Sequence, residues 1–240
     1  MRCTLNAACW LALLTFHVSP LPAQDRSTRF TADLGFVNAA GNTAVTSFNF
    51  GERLTHTSGA WQFQQSFATL YGRTDGEPSA EQFRVNGRVD FAFSERIGVY
   101  GLAGWDRNRF AGIRRRFEEG AGLAVKALAG SRNELSVEAG LGATQQINTQ
   151  DDRRRFLTGR AASRFKHLFT ETAFVQQMLE FLPNFEMLDA YRIFSESSVV
   201  VPLSGAIALK ASYVVRFDNV PEPGFRKSDR VLTTGIQLNW

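Results

Sequence analysis

Ionisable residues recur at every second position in several stretches of this sequence, a spacing that could line a water path or knit a lattice of ion pairs. In "FRVNGRVDFAF", Arg84, Arg88 and Asp90 alternate with Phe83, Val85, Val89, Phe91 and Phe93. "ELSVEAGLGAT" sets Glu134 and Glu138 against Leu135, Val137, Ala139 and Leu141, and "IALKASYVVRF" sets Lys210 and Arg216 against Ile207, Leu209, Tyr213 and Phe217. Strand side chains alternate with period two, so each stretch has one apolar and one charged face. The same alternation puts Arg160, Arg164, Lys166, Arg192 and Glu196 on the charged face. Eight of these twelve residues are basic and four acidic. A ring of fixed cations lowers the barrier for anions, which makes an anion-preferring pore one expectation. A self-neutralising plug that holds the structure together is the other, and the residues do not choose between them.

Two further clusters lie between the alternating stretches. "RRRFEE" carries Arg114, Arg115 and Arg116, and "DDRRR" carries Arg153, Arg154 and Arg155. Read as loops, these triplets could grip lipopolysaccharide phosphates, for which the guanidinium fork is suited. They could equally pair with the acidic residues beside them, at little gain per exposed pair. The remaining reactive candidates are two histidines. A lipid-acting enzyme would need a nucleophile with a His base near the outer leaflet. His56 and His167 instead fall near short turns, on the opposite side. No metal-ligand spacing or phosphate-binding glycine fingerprint appears, and "GAGL" and "GLGA" suit close strand contact instead. No catalytic, cofactor or metal residue is therefore expected, and the chain reads as a non-enzyme.

What positions these residues must be strands. The N-terminus, "MRCTLNAACWLALLTFHVSPLPAQ", has a basic residue, an apolar run from Ala7 to Val18 and a Pro-containing stretch ending at Ala23, with Leu21 larger than the residue usual two places before a cut. That is the layout of a secretory signal peptide over 1–23, cleaved after Ala23. Cys3 and Cys9 leave with it, and the mature chain, 24–240, then has neither disulfide nor thiolate chemistry. Beyond residue 24 the most apolar uncharged run, "SSVVVPLSGAIAL", is too short for a membrane helix and is broken by Pro202 and Gly205. The balance of 27 basic and 23 acidic residues, net +4, argues against a nucleic-acid partner.

The alternation predicts twelve strands, at 28–37, 43–55, 60–72, 81–93, 97–108, 119–128, 134–147, 156–168, 173–182, 190–201, 206–217 and 230–240. In the fifth, both Val99 and Tyr100 could face the apolar side; in the second, Glu52 sits on an otherwise apolar face. Short turns ("THTSG", "SER", "AGSRN", "TET", "PLS") alternate with longer polar links ("GRTDGEPSA", "NRFAGIRRRFEEG", "NTQDDRRR", "LPNFEML", "DNVPEPGFRKS"). This predicts an up-and-down antiparallel barrel with both termini on the short-turn side. About twelve strands enclose more volume than an apolar core fills, so the apolar face belongs outside, against lipid. The fold class expected is an all-β transmembrane barrel of the Gram-negative outer membrane, with long loops outward and termini periplasmic. Trp61 and Trp240 would form the girdle at the short-turn end, and Trp105, Tyr71 and Tyr191 the other. Trp240 would close the wall, and its strand looks like the C-terminal signal read by the barrel-assembly machinery.

Several segments resemble the YdiY-like salt-induced outer-membrane protein family, a family of unknown function. They are "ADLGFVNAAGNTAVTSFNFGERL", the stretch from "GRTDGEPSAEQF" through "WDRNRFAGI", "RRFEEGAGLAVKAL" and "FDNVPEPGFRKSDRVLTTGIQLNW". The likeness spans nearly all of the mature chain; "AGNT" stands where the family start is similar to "SGNT". The resemblance implies outer-membrane location, a barrel of this kind and no established activity, and it supplies no catalytic residues.

Overall fold

The computed structural model describes residues 26–39 and 45–240. The expected signal segment and the "AGNT" motif lie outside the described residues. Twelve strands form one closed antiparallel barrel in which each is bonded to its sequence neighbours. They are β1 (Ser27–Ala39), β2 (Val45–Ser58), β3 (Trp61–Thr74), β4 (Glu77–Ala92), β5 (Ile97–Asn108) and β6 (Ile113–Ala129). There follow β7 (Asn133–Asn148), β8 (Arg153–Leu168), β9 (Phe174–Pro183), β10 (Tyr191–Pro202), β11 (Ile207–Asp218) and β12 (Ser228–Asn239). No described helix is long and apolar enough to cross a membrane.

Polarity is inverted relative to a soluble barrel. Leu141 and Leu232 are 66% and 70% exposed on the outer face, among a wide band of exposed Phe, Val, Leu and Ile. In water each such side chain would forgo about 1.5–3 kcal/mol of burial, so the outer surface is built for lipid. Strand ends carry the expected aromatics. At the rim bearing Trp240, here the near rim, the Trp240 ring packs on Phe30 at 5.5 Å and Trp61 packs on Phe91 at 4.7 Å. At the far rim Tyr191 lies between Phe181 and Phe217, at 5.6 and 5.9 Å.

Closure runs through a short ladder. β1 meets β12 over Thr31–Leu34 and Ile236–Asn239, extended by reciprocal backbone bonds of 2.9 Å between Phe30 and Trp240. By contrast β1 pairs with β2 along its whole length.

Two expectations need correction at the far rim. The link "GRTDGEPSA" is not a long loop: β3 and β4 join through Asp75 and Gly76 alone, both at positive φ (51° and 85°). Asp-Gly suits a two-residue type I′ turn, whose twist matches that of the flanking strands. The basic triplets are not in loops either. β6 begins at Ile113 and β8 at Arg153, so Arg114, Arg115, Arg116 and Arg153, Arg154, Arg155 are strand residues. Charge alone makes them read as loop, but within a strand their side chains alternate between lumen and exterior. Midway down the wall the two open positions of β5 are settled: Val99 faces outward and Tyr100, 3% exposed, faces the lumen.

Candidate functional site: the charged lumen

Register carries all twelve predicted charged residues to the inner face. Arg84, Arg88 and Asp90 come from β4, Glu134 and Glu138 from β7, and Arg160, Arg164 and Lys166 from β8. β10 supplies Arg192 and Glu196, and β11 supplies Lys210 and Arg216. Most are tied into networks with residues that the sequence reading did not single out.

The far half of the lumen is crossed from wall to wall. Arg192 Nη2 of β10 donates to Glu118 Oε1 of β6 at 2.5 Å, and Arg216 Nη1 of β11 donates to Gln82 Oε1 of β4 at 2.5 Å. β4 and β11 lie five strands apart around the ring, close to opposite, so the second bond is nearly a diameter. The guanidiniums of Arg84 and Arg216 flank the Phe194 ring at 5.8 and 5.7 Å, a cation–π contact between the same walls. Gln82 Nε2 and Arg84 Nε both donate to Asp106 Oδ1 at 3.2 Å. Above this layer, Glu222 of the β11–β12 link is buried and accepts from Gln146 at 2.6 Å and Asn148 at 2.8 Å. Gly112, at φ 76°, lets that link settle: a Cβ there would meet Glu222 Cβ and the Phe225 ring at 2.8 Å.

Midway down, a second network follows the wall. Arg88 donates to both Glu138 oxygens at 2.9 Å and to Asp90 Oδ1 at 2.6 Å. Arg160 donates to Glu138 and to Glu180, each at 2.5 Å. Arg88 meets both Glu138 and Asp90 through two nitrogens, the fork geometry in which arginine–carboxylate bonds are strong. Beneath them the Tyr100 ring supports both guanidiniums, Arg88 at 4.4 Å and Arg160 at 5.0 Å. The glycines of "GAGL" and "GLGA" make its bed. A Cβ on Gly122 or Gly140 would lie 2.7 or 2.4 Å from the Tyr100 hydroxyl oxygen. On another arc, Lys210 Nζ donates to Asp33 Oδ2 at 2.6 Å and stands 3.9 Å from Glu196.

The near half differs. Among the described residues no ion pair engages Arg164, Lys166 or Arg53, the last an inward residue of β2 that the sequence reading passed over. Glu134 stands in register with Lys166 but is exposed at the near rim. Thus the eight-to-four excess of base does not describe the whole lumen. Asp33, Asp106, Glu118, Glu180 and Glu222 also face inward and neutralise the outer and middle layers. Parity alone would have found the first four; Glu222 has no sequence signal, because a link brings it in.

Outside the lumen, Arg115, Arg153 and Arg155 project outward at the far rim and are exposed. Arg116 instead turns inward to Gln146 Oε1 at 2.7 Å, Arg154 stands 3.9 Å from Glu222, and Arg114 pairs with Asp151. His56 accepts from or donates to Thr28 Oγ1 at 2.9 Å and His167 sits 2.8 Å from Asn133 Oδ1, both toward the near rim. Glu52 does face outward, where Gln65 Nε2 donates to it at 2.7 Å.

Against known proteins, the architecture is familiar and the sequence has a family. The solved structure titled NanC porin matches with a TM-score of 0.51 at 6% identity, covering 88% of this chain and 97% of that one. The translocator domain of autotransporter NalP from Neisseria meningitidis gives a TM-score of 0.48 at 11% identity, over 90% and 87%. At 6% identity the likeness to the NanC porin shows the fold alone. The uncharacterized protein YdiY of Escherichia coli (strain K12) is 25% identical over 98% of this chain and 92% of its own length. The chain belongs to the family described as protein of unknown function, DUF481, which matches residues 32–240.

Proposed function

We propose that this chain is an outer-membrane β-barrel of a Gram-negative cell, near rim in the periplasm, whose resting lumen is shut in its far half by its own side chains. The observation that carries this is the pair of cross-lumen bonds, Arg192–Glu118 and Arg216–Gln82, each 2.5 Å. Each tethers walls that a water-filled channel would leave apart. The lipid-suited exterior and the two aromatic girdles support the membrane assignment. Exposed Arg115, Arg153 and Arg155 suit a far rim set in the phosphate-rich outer leaflet and support the orientation. On this reading the protein is a braced envelope component and not an open general pore. The test is planar-bilayer recording of the refolded barrel. Wild type is expected to give no steady conductance, and the double variant Arg192→Gln/Arg216→Gln to open one. Steady conductance in wild type that the double variant leaves unchanged would overturn the reading.

A narrow channel for small anionic solutes is the second reading, favoured by the unpaired bases Arg53, Arg164 and Lys166 in the near half. A ring of such cations lowers the barrier for anions. Under a salt gradient, a reversal potential set by the anion in the opened variant supports it, and cation preference rejects it.

A further inference from the structure

Arg164 is half-buried on the lumen wall and poorly partnered for an arginine. Its Nε has no hydrogen-bond partner, and its Nη2 reaches only the Met178 thioether, a weak acceptor, at 3.6 Å. Withdrawing part of a guanidinium from water without a carboxylate is costly, and the cost falls where something else supplies the counter-charge. Glu134, in register with Lys166, is exposed at the near rim and makes no ion pair among the described residues, and the carboxylates deeper in the lumen are engaged elsewhere. Glu138 is held by Arg88 and Arg160, and Asp33 by Lys210. The charges around Arg164 are instead mostly its own sign: Arg53, Arg88 and Arg160 all act on it electrostatically. Arg53 comes from β2, across the ring from β8, and is exposed to the lumen, which leaves room before it. Lys166, two residues along on the same inward face, rests its ammonium 4.7 Å above the Phe174 ring. Two facing walls thus bring three cations into the near half of the lumen: Arg53 acts on Arg164 from across the ring, and Lys166 follows Arg164 on the same inward face of β8.

We propose that Arg53, Arg164 and Lys166 form a binding site for a small oxyanion, a phosphate, sulfate or carboxylate group, entered from the near rim. The Arg164 fork would give the group two parallel N–H donors, and Arg53 would close over it from the opposite wall. The site lies below the cross-lumen bonds and needs neither a closed nor an open far half. Its failure would leave the conductance reading standing, and the reverse.

The experiment is titration calorimetry of inorganic phosphate into the barrel refolded in a nonionic detergent, in low-chloride buffer. A single saturable site is expected. Arg164→Gln and Arg53→Gln should each weaken it by about tenfold or more, the usual effect of removing one charge-assisted donor. Arg164→Lys, which keeps the charge but not the fork, should fall between wild type and Arg164→Gln. Arg230→Gln, at the far end of β12, should bind as wild type does. Folding of each variant is read separately, from heat-modifiable migration on gels. Absence of saturable binding to folded wild type, or affinity that folded Arg164→Gln and Arg53→Gln both retain, overturns the proposal.

Discussion

At the scale of single residues, Tyr100 explains the glycines that surround it. The ring fills the hollow over Gly122 and Gly140 and carries Arg88 and Arg160 on its face, yet its hydroxyl is buried without a hydrogen-bond partner. Its value therefore lies in the ring. Tyr100→Phe is expected to leave stability unchanged or raise it by up to about 1 kcal/mol, because it deletes an unsatisfied polar atom and keeps the packing. Tyr100→Ala should cost about 3–5 kcal/mol, the range for truncating a packed aromatic, and it also takes the π face away from both guanidiniums. Denaturant unfolding of the barrel in detergent, followed by tryptophan fluorescence, measures both. A Tyr100→Phe variant as damaged as Tyr100→Ala would mean that the hydroxyl has a partner after all.

At the scale of elements, the weakest join is the one that closes the ring. β12 runs from Ser228 but meets β1 only near its end, so a few ladder bonds and the Phe30–Trp240 contact hold the seam. Trp240→Ala removes the ring contact while leaving the backbone bonds, and is expected to lower stability by about 0.5–1.5 kcal/mol. Deleting 238–240 removes three of the five residue pairs of the seam, and should prevent the compact, heat-modifiable band from forming at all. Equal yield of folded barrel from the truncated chain would show that closure does not depend on this seam. Such elements are readable from sequence because period-two alternation is imposed by lipid on one side and water on the other; Phe83 to Phe91 displays it cleanly. The far ends of β6 and β8 are harder to read. There both faces leave the lipid, charge no longer marks a side, and Arg115 beside Arg116 looks like a loop although the ladder continues through both. Asp75-Gly76 is legible as a hairpin turn, but the polar residues on either side disguise strand extensions as linker. The site divides in the same way. Alternation locates the inward charges, whereas their pairing across the lumen depends on which walls face each other, and no local pattern encodes that.

At the scale of the whole molecule, what must hold is the inversion of polarity. The charged networks survive only because water or their own counter-charges surround them, and the apolar band is stable only because lipid covers it. Matched substitutions at mid-depth separate the two faces. Leu141 points outward and is 66% exposed, while Val214 points inward and lies in register with Glu196. Leu141→Lys places an ammonium in the hydrocarbon and should cost about 2–4 kcal/mol, as for other lipid-facing cations near the bilayer midplane. Val214→Lys places the same group in the lumen, beside a carboxylate, and should cost less than about 1 kcal/mol. Urea unfolding from phospholipid vesicles reads both in one assay. A soluble barrel would give the opposite order, with the inward lysine ruinous and the outward one silent. That order would remove the lipid-facing exterior, and with it the reason for the lumen to carry charge at all.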